Sequence, residues 1–225
     1  VLDGCQSGWI VAEVSSDQKI HIYHVSKLTD LTINNHCLNF IDIPIQLPKN
    51  INEYPRLSDK KAKSLLGRFH SSIFYAPLEE WLTEEYENIN KECSLENKPK
   101  LSKQSFNLFK KIKVAQVMYK KNPKQWIEIH PELLVHYYLK NEKIKKTTVA
   151  GQLQRLGVLS DQLNLQVSFN DVEICYKQLK NVGLGIKLAM DDIIDALFCA
   201  ACIRNINGYK FMTQNGIIKN NDIKN

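Results

Sequence analysis

The amino-acid sequence predicts a mixed α/β protein, a five-stranded sheet with its first three strands antiparallel, flanked by helices. Three observations lead there. β-rich runs separated by turn signals crowd the first 45 residues, helical spacing dominates after Pro55, and one late alternating run, Trp126–His130, stands alone among helices.

Val1–Asp3 is a short apolar entry, Gly4-Cys5-Gln6-Ser7-Gly8 a turn, and Trp9–Val14 and Lys19–Val25 are β-rich runs. Ser15-Ser16-Asp17-Gln18 would close a hairpin between those two runs, and residues 27–36 form a connector. Leu38–Ile45 is an apolar, Ile-rich run closed by Pro44 and Pro48, and reads as a fourth, buried strand. Ser58–Gly67 offers a cap, a helical body and a glycine stop. Residues 79–96 read as an acidic helix, 97–103 as loop, and Phe106–Lys121 as a helix with apolar positions at 106, 109, 112, 114 and 117. After the strand Trp126–His130, helices are expected at 132–140, 148–164 and 187–206. The expected organisation is one domain over residues 1–215, with a helical insertion around 55–122 between strands four and five and a polar tail at 216–225.

The 225 residues, 44% hydrophobic and 24% charged, suit a globular chain with a sizeable core. No apolar run approaches the ~20 residues needed to span a bilayer. With no basic n-region and no cleavage signature, the expectation is a cytoplasmic protein without a membrane partner. Val1 in place of Met suggests that leading residues precede it. Six cysteines in a chain of this length do not make a disulfide scaffold. Cys199 and Cys202 form a C-x-x-C inside an apolar helical run without a second pair, so core packing is expected of them. The net charge of +6 is unevenly placed: thirteen lysines and three acids between Lys98 and Lys146 give 13 − 3 = +10 locally. Such a stretch can track a phosphate backbone or simply solvate a helical surface.

The acids carry the sharper signal. Asp3 ends the first strand before a glycine turn, where turn chemistry alone would account for it. Asp42 lies inside an apolar run, where an unpartnered buried carboxylate costs several kcal/mol or shifts its pKa. Glu128 sits in the late strand on the face opposite Ile127 and Ile129. Asp192 and Asp195, three apart on an otherwise apolar helix, project from one face, and like charges at that spacing repel unless a cation joins them. Asp191, turned about 100° away, is a candidate cap or outer ligand. Asp3, Asp42, Asp192 and Asp195, with Glu128 beside them, have the donor chemistry of an oxygen-only Mg²⁺ (or Mn²⁺) site.

The layout resembles the ribonuclease-H-like superfamily, and the C-terminal Asp-x-x-Asp-Ala-Leu helix is most similar to the Holliday-junction resolvase branch. More closely, the chain resembles a family of ribonuclease-H-like nucleases catalogued as a domain of unknown function. The matching motifs are Asp3-Gly4-Cys5-x-x-Gly8-Trp9, Ile41-Asp42-Ile43-Pro44-Ile45-x-Leu47-Pro48, Arg56-x-x-Asp59 and Leu66-Gly67-Arg68. Further along come Glu128-x-His130-Pro131-Glu132, Lys146-Thr147 with Gly151 and Arg155, and Asp191-Asp192-x-x-Asp195-Ala196. Lys63 and Gln46 depart from the pattern. The resemblance implies a ribonuclease-H-like fold and a carboxylate metal site. Arg56, Arg68, Lys146 and Arg155 are then expected at the substrate phosphate, or paired with the same acids, and His130, Glu132 and Asp191 as accessory groups.

The expected activity is Mg²⁺-dependent hydrolysis of DNA or RNA phosphodiesters by a two-metal mechanism, with nucleic acid as partner. A non-catalytic nucleic-acid-binding or scaffold module is the alternative. An actin-like phosphotransferase fits less well, since the nine glycines include no convincing phosphate loop. The sequence does not speak to oligomeric state.

Overall fold

The computed structural model describes residues 1–15, 19–31, 38–182 and 188–204. The expected hairpin tip, part of the 27–36 connector, the ends of the last helix and the 216–225 tail lie outside the described residues. Two compact units emerge, one formed by residues 1–42 and 125–225, the other by 43–124.

The first unit holds a five-stranded mixed sheet: β1 (Leu2–Cys5), β2 (Gly8–Val14), β3 (Ile20–Val25), β4 (Asn39–Ile41) and β5 (Trp126–Glu128), in the order β3-β2-β1-β4-β5. β1 pairs antiparallel with β2 and β2 with β3, whereas β4 runs parallel to both β1 and β5. Gly8 makes the tight β1–β2 connection possible, because at φ +149° a Cβ would lie 2.2 Å from the Val25 carbonyl oxygen. β4 is much shorter than the apolar run Leu38–Ile45 that contains it. Asp42 donates its N–H to the Leu2 carbonyl at 2.9 Å, one residue past the strand. Pro44, with no N–H, cannot extend the ladder.

The helices of this unit are α5 (Pro131–Leu139), α6 (Val149–Asp161), α7 (Phe169–Val182) and α8 (Met190–Arg204). α8 lies across β1, β2 and β3 and packs against α5, α6 and α7. Its Ala196, Ala200 and Ala201 are fully buried, so small side chains let the helix approach the sheet closely. The core between these layers takes alternate residues of each strand, among them Cys5, Ile10, Ala12, Phe40, Ile127 and Ile129. Cys199 and Cys202 are buried within it as free thiols, and burial pushes both thiols up, which fits packing rather than redox chemistry.

α7 has no counterpart among the expected elements. Its signal is nevertheless in the sequence: Phe169, Val172, Tyr176 and Leu179 repeat at helical spacing, and Ser168 and Asp171 cap each other reciprocally.

The second unit contains α1 (Leu57–Leu66), α2 (Tyr86–Leu95), α3 (Lys103–Asn107) and α4 (Phe109–Lys121), joined by short 3₁₀ turns. Residues 79–96 divide into a 3₁₀ turn and α2, and the helix expected from Phe106 splits around Leu108 into α3 and α4. Gly67 ends α1 with φ +52°. Trp81, Ile89, Phe109 and Ile112 are buried in this unit, and Tyr54 meets Trp81 edge to face at 4.8 Å. Among the described residues, no helix is long and apolar enough to cross a membrane.

Candidate carboxylate site

Parallel pairing of β1 with β4 sets Leu2 against Ile41, so Asp3 and Asp42 follow side by side. Asp42 lies just past β4 and Asp3 within β1, which runs on through Gly4 and Cys5 where the sequence predicts a turn. Asp3 also pairs with Ile10, which belongs to the core under α8, and therefore faces that helix. α8 brings Asp191, Asp192 and Asp195 to the same edge. Asp191 and Asp192 occupy its first turn, where the helix dipole favours anions. Asp195 lies one turn deeper, only 1% exposed, where no dipole argument explains an acid.

The electrostatics follow from this proximity. Burial raises the Asp3 pKa well above the ordinary carboxylate range, and Asp42, Asp195 and Asp192 raise it further while Lys146 opposes them. Asp3 accepts no hydrogen bond among the described residues. Asp195 is likewise pushed up to about 6 by burial, in spite of Lys146 and Arg155. The Lys146 ammonium stands 2.6 Å from Asp195 Oδ2 and 3.6 Å from Asp191 Oδ2. The other Asp195 oxygen, Oδ1, is buried without a hydrogen bond, 3.5 Å from Arg155 Nε.

Asp191 thus shares a cation with Asp195, four residues on. The backbone bond at the start of the helix belongs to Asp192 instead, which accepts the Ala189 N–H at 3.0 Å. A residue four positions away returns to within about 40° on the helix, so Asp191 and Asp195 also share a face.

Glu128 joins the group differently. It pairs with Ile41, which places its carboxylate on the face opposite Asp42. The bridge is His130, just beyond β5, with Nδ1 3.5 Å from Asp42 and Nε2 3.6 Å from Glu128. Burial works against a charged imidazole, but the Asp42 and Glu128 carboxylates override it and hold the His130 pKa up at about 10. His130 is therefore a cation at neutral pH, fixing the two carboxylates.

A chain of alternating charge supports the site from α5 and α6. Glu132, in the first turn of α5, accepts from Arg155 at 2.7 Å and from the buried Lys143 ammonium. Burial would raise the Glu132 carboxyl, but Arg155 and Lys143 hold it below its ordinary value. Arg155 then faces Asp195. Lys146 is held at its place by the turn ahead of α6, where Thr148 accepts the Gly151 N–H at 3.1 Å. A Cβ on Gly151 would lie 2.0 Å from the Lys145 carbonyl oxygen, so only glycine lets that turn pack as it does.

Arg56 and Arg68, also expected at a substrate phosphate, belong to the second unit. Arg56 donates to both oxygens of the buried Asp59 and to the Gln46 carbonyl. Arg68 lies over the Phe69 ring.

The donor chemistry suits a hard divalent ion. Asp3, Asp42, Asp192 and Asp195 offer only carboxylate oxygens, and the last three stand within electrostatic reach of Asp3. Asp195 Oδ1 is buried without a hydrogen bond, and Arg155 Nε, also unbonded, faces it at 3.5 Å. No three of these four carboxylates bring an oxygen each within 4.8 Å of one another, so they form an open cluster with Lys146 among them. No curated protein and no solved structure matches the chain. A family match covers residues 2–210, and the chain belongs to the family described as protein of unknown function (DUF429).

Proposed function

We propose that the first unit is a ribonuclease-H-like domain, and that the protein is a Mg²⁺-dependent nuclease hydrolysing DNA or RNA phosphodiesters. Three antiparallel strands followed by two parallel ones, with acids within β1, just past β4 and on the last described helix, support the fold reading. The observation that carries the activity is the gathering of Asp42, Asp192 and Asp195 about the Asp3 carboxylate, which accepts no hydrogen bond among the described residues.

Those four residues would hold the metal, and Mn²⁺ is the natural substitute. When bound, Mg²⁺ supplies the charge that activates a water and stabilises the leaving oxygen of a phosphodiester. The protein's own groups divide the remaining work. His130, as a cation between them, orients Asp42 and Glu128. Arg155 holds Asp195 from the buried side. Lys146, partly exposed, is the group placed to meet a substrate phosphate once a metal shares its carboxylates.

The non-catalytic reading also has an observation in its favour, since Lys146 and Arg155 already neutralise Asp195. Calorimetric titration of Mg²⁺ and Mn²⁺ into the protein and into an Asp3→Asn/Asp195→Asn variant separates the two. Binding that the variant loses, together with cleavage of labelled single-stranded, duplex or branched substrates, supports the nuclease. Equal binding by both proteins, or cleavage undiminished in the variant, rejects it.

A further inference from the structure

Between Lys98 and Ile127 the chain carries nine lysines and no acidic residue. α4 arranges part of this charge. At 100° per residue, Lys110, Lys113, Val114, Val117 and Lys121 fall on one stripe, continued by Lys124 in the following turn. Phe109, Ile112, Ala115 and Gln116 occupy the opposite, buried side. Lys110, Lys113, Lys121 and Lys124 are all exposed and have no ion pair among the described residues. Lys120, at the border of the stripe, is already taken by Glu79.

Helix stability does not account for this pattern. Cations near the C-terminus of α4, such as Lys121, complement the helix dipole, but Lys110 in the first turn opposes it. Lys110 and Lys113 are like charges three apart, which destabilises a helix further. The other side chains on the stripe, Val114 and Val117, supply neither anion nor acceptor. An external anion removes these conflicts. A row of cations about 16 Å long from Lys110 to Lys121 suits a linear polyanion rather than a point ligand. Two valines and no aromatic give little to insert into a lipid interface and nothing on which unpaired bases could stack. Lysines without arginine bind phosphate as point charges rather than gripping base edges in bidentate fashion.

We infer that the exposed face of α4 is a sequence-independent docking surface for the phosphate backbone of a nucleic-acid duplex. That the polyanion is nucleic acid rests on the nuclease reading above; the charge geometry does not.

The test is binding of the full chain to a labelled 20-base-pair duplex in EDTA, across a salt series. The variants are Lys110→Gln/Lys113→Gln/Lys121→Gln/Lys124→Gln and a control that removes four exposed lysines elsewhere, at Lys19, Lys60, Lys61 and Lys180. Removing one lysine–phosphate pair lowers the slope of log affinity against log salt by about 1, so the stripe variant should drop by about 4 and the control by less than about 1. Equal decreases in the two variants, no decrease in either, or tighter binding of a single strand or of anionic vesicles than of duplex would overturn the inference. Because the assay contains no metal, its outcome is independent of catalysis. Duplex binding through the stripe without metal uptake would leave the surface standing and remove the nuclease.

Discussion

Two buried aspartates, one in each compact unit, show what a completed structural carboxylate looks like and what an unfinished one looks like. Asp59, in the 43–124 unit, is 1% exposed, and every demand of its charge is met. Arg56 reaches both oxygens, at 3.0 and 3.1 Å from Nε and 2.5 Å from Nη2, and the Ala76 N–H adds a fourth bond at 2.9 Å. Asp195, also 1% exposed, has Lys146 on one oxygen and, on the other, only the Arg155 guanidinium at 3.5 Å without a hydrogen bond. Its neighbours include further acids, and its pKa is raised to about 6. A protein that can build the first arrangement has no folding reason to build the second. The acids of the sheet edge are thus assembled against stability, as groups serving a ligand are.

The comparison is most severely tested at Arg56. An Arg56→Met variant strands Asp59 as an uncompensated buried charge, and denaturant unfolding should show a loss of about 3–5 kcal/mol. Millimolar Mg²⁺ should leave that loss untouched, because every bond Asp59 accepts comes from a protein group. Restoration by Mg²⁺ would erase the distinction between the two aspartates.

Smaller effects are expected on α6. Gly151→Ala places a methyl group 2.0 Å from the Lys145 carbonyl, forcing the backbone beside Lys146 to move. The same unfolding measurement should register a loss of about 1–3 kcal/mol, the usual cost of forcing an extra carbon into a packed site. Six residues on, a Cβ at Gly157 meets nothing within 4 Å, and Gly157→Ala should instead gain about 0.5–1 kcal/mol from helix propensity. Opposite signs in one helix tie the effect to the Lys146 turn. Equal responses would show that the turn is not under constraint.

Much of the sheet unit is legible in the sequence because alternation and helical spacing are local signals. The acids at Asp3, Asp42, Asp192 and Asp195 stand out because they interrupt apolar runs. Their cations do not stand out. Lys146 lies 49 positions before Asp195, and Arg155 lies 23 after Glu132. No periodicity links residues on different layers, so only the family resemblance points to Lys146 and Arg155 at all. The Arg56-x-x-Asp59 spacing is the reverse case. An i,i+3 ion pair is readable from sequence, yet the same arginine also reads as a phosphate ligand, and only the bonds to Asp59 and Gln46 show where its guanidinium lies. Glu128 is harder still. Its strand face is predictable, but its link to Asp42 runs through His130 beyond the strand end, where alternation stops.

The smallest expected change is also the most discriminating. Asp195 binds its proton more tightly in the folded protein, near pH 6, than an ordinary aspartate near 3.8. The stability this contributes is complete below pH 3.8 and is lost as pH rises through about 6. Measured without metal, the parent should lose stability across that window. Asp195→Asn keeps the neutral form at every pH, so its own profile should lack this contribution. At pH 7 the variant should lie within about 1 kcal/mol of the parent, since relief from an unfavourable buried charge offsets the lost pairing with Lys146. Mg²⁺ should stabilise the parent at pH 7 and leave the variant nearly unchanged, because a ligand stabilises only the state that binds it. A loss of about 3–5 kcal/mol in Asp195→Asn, as breaking a structural pair produces, would place Asp195 beside Asp59. Asp195 would then be structural, and the metal reading would lose one of its four carboxylates.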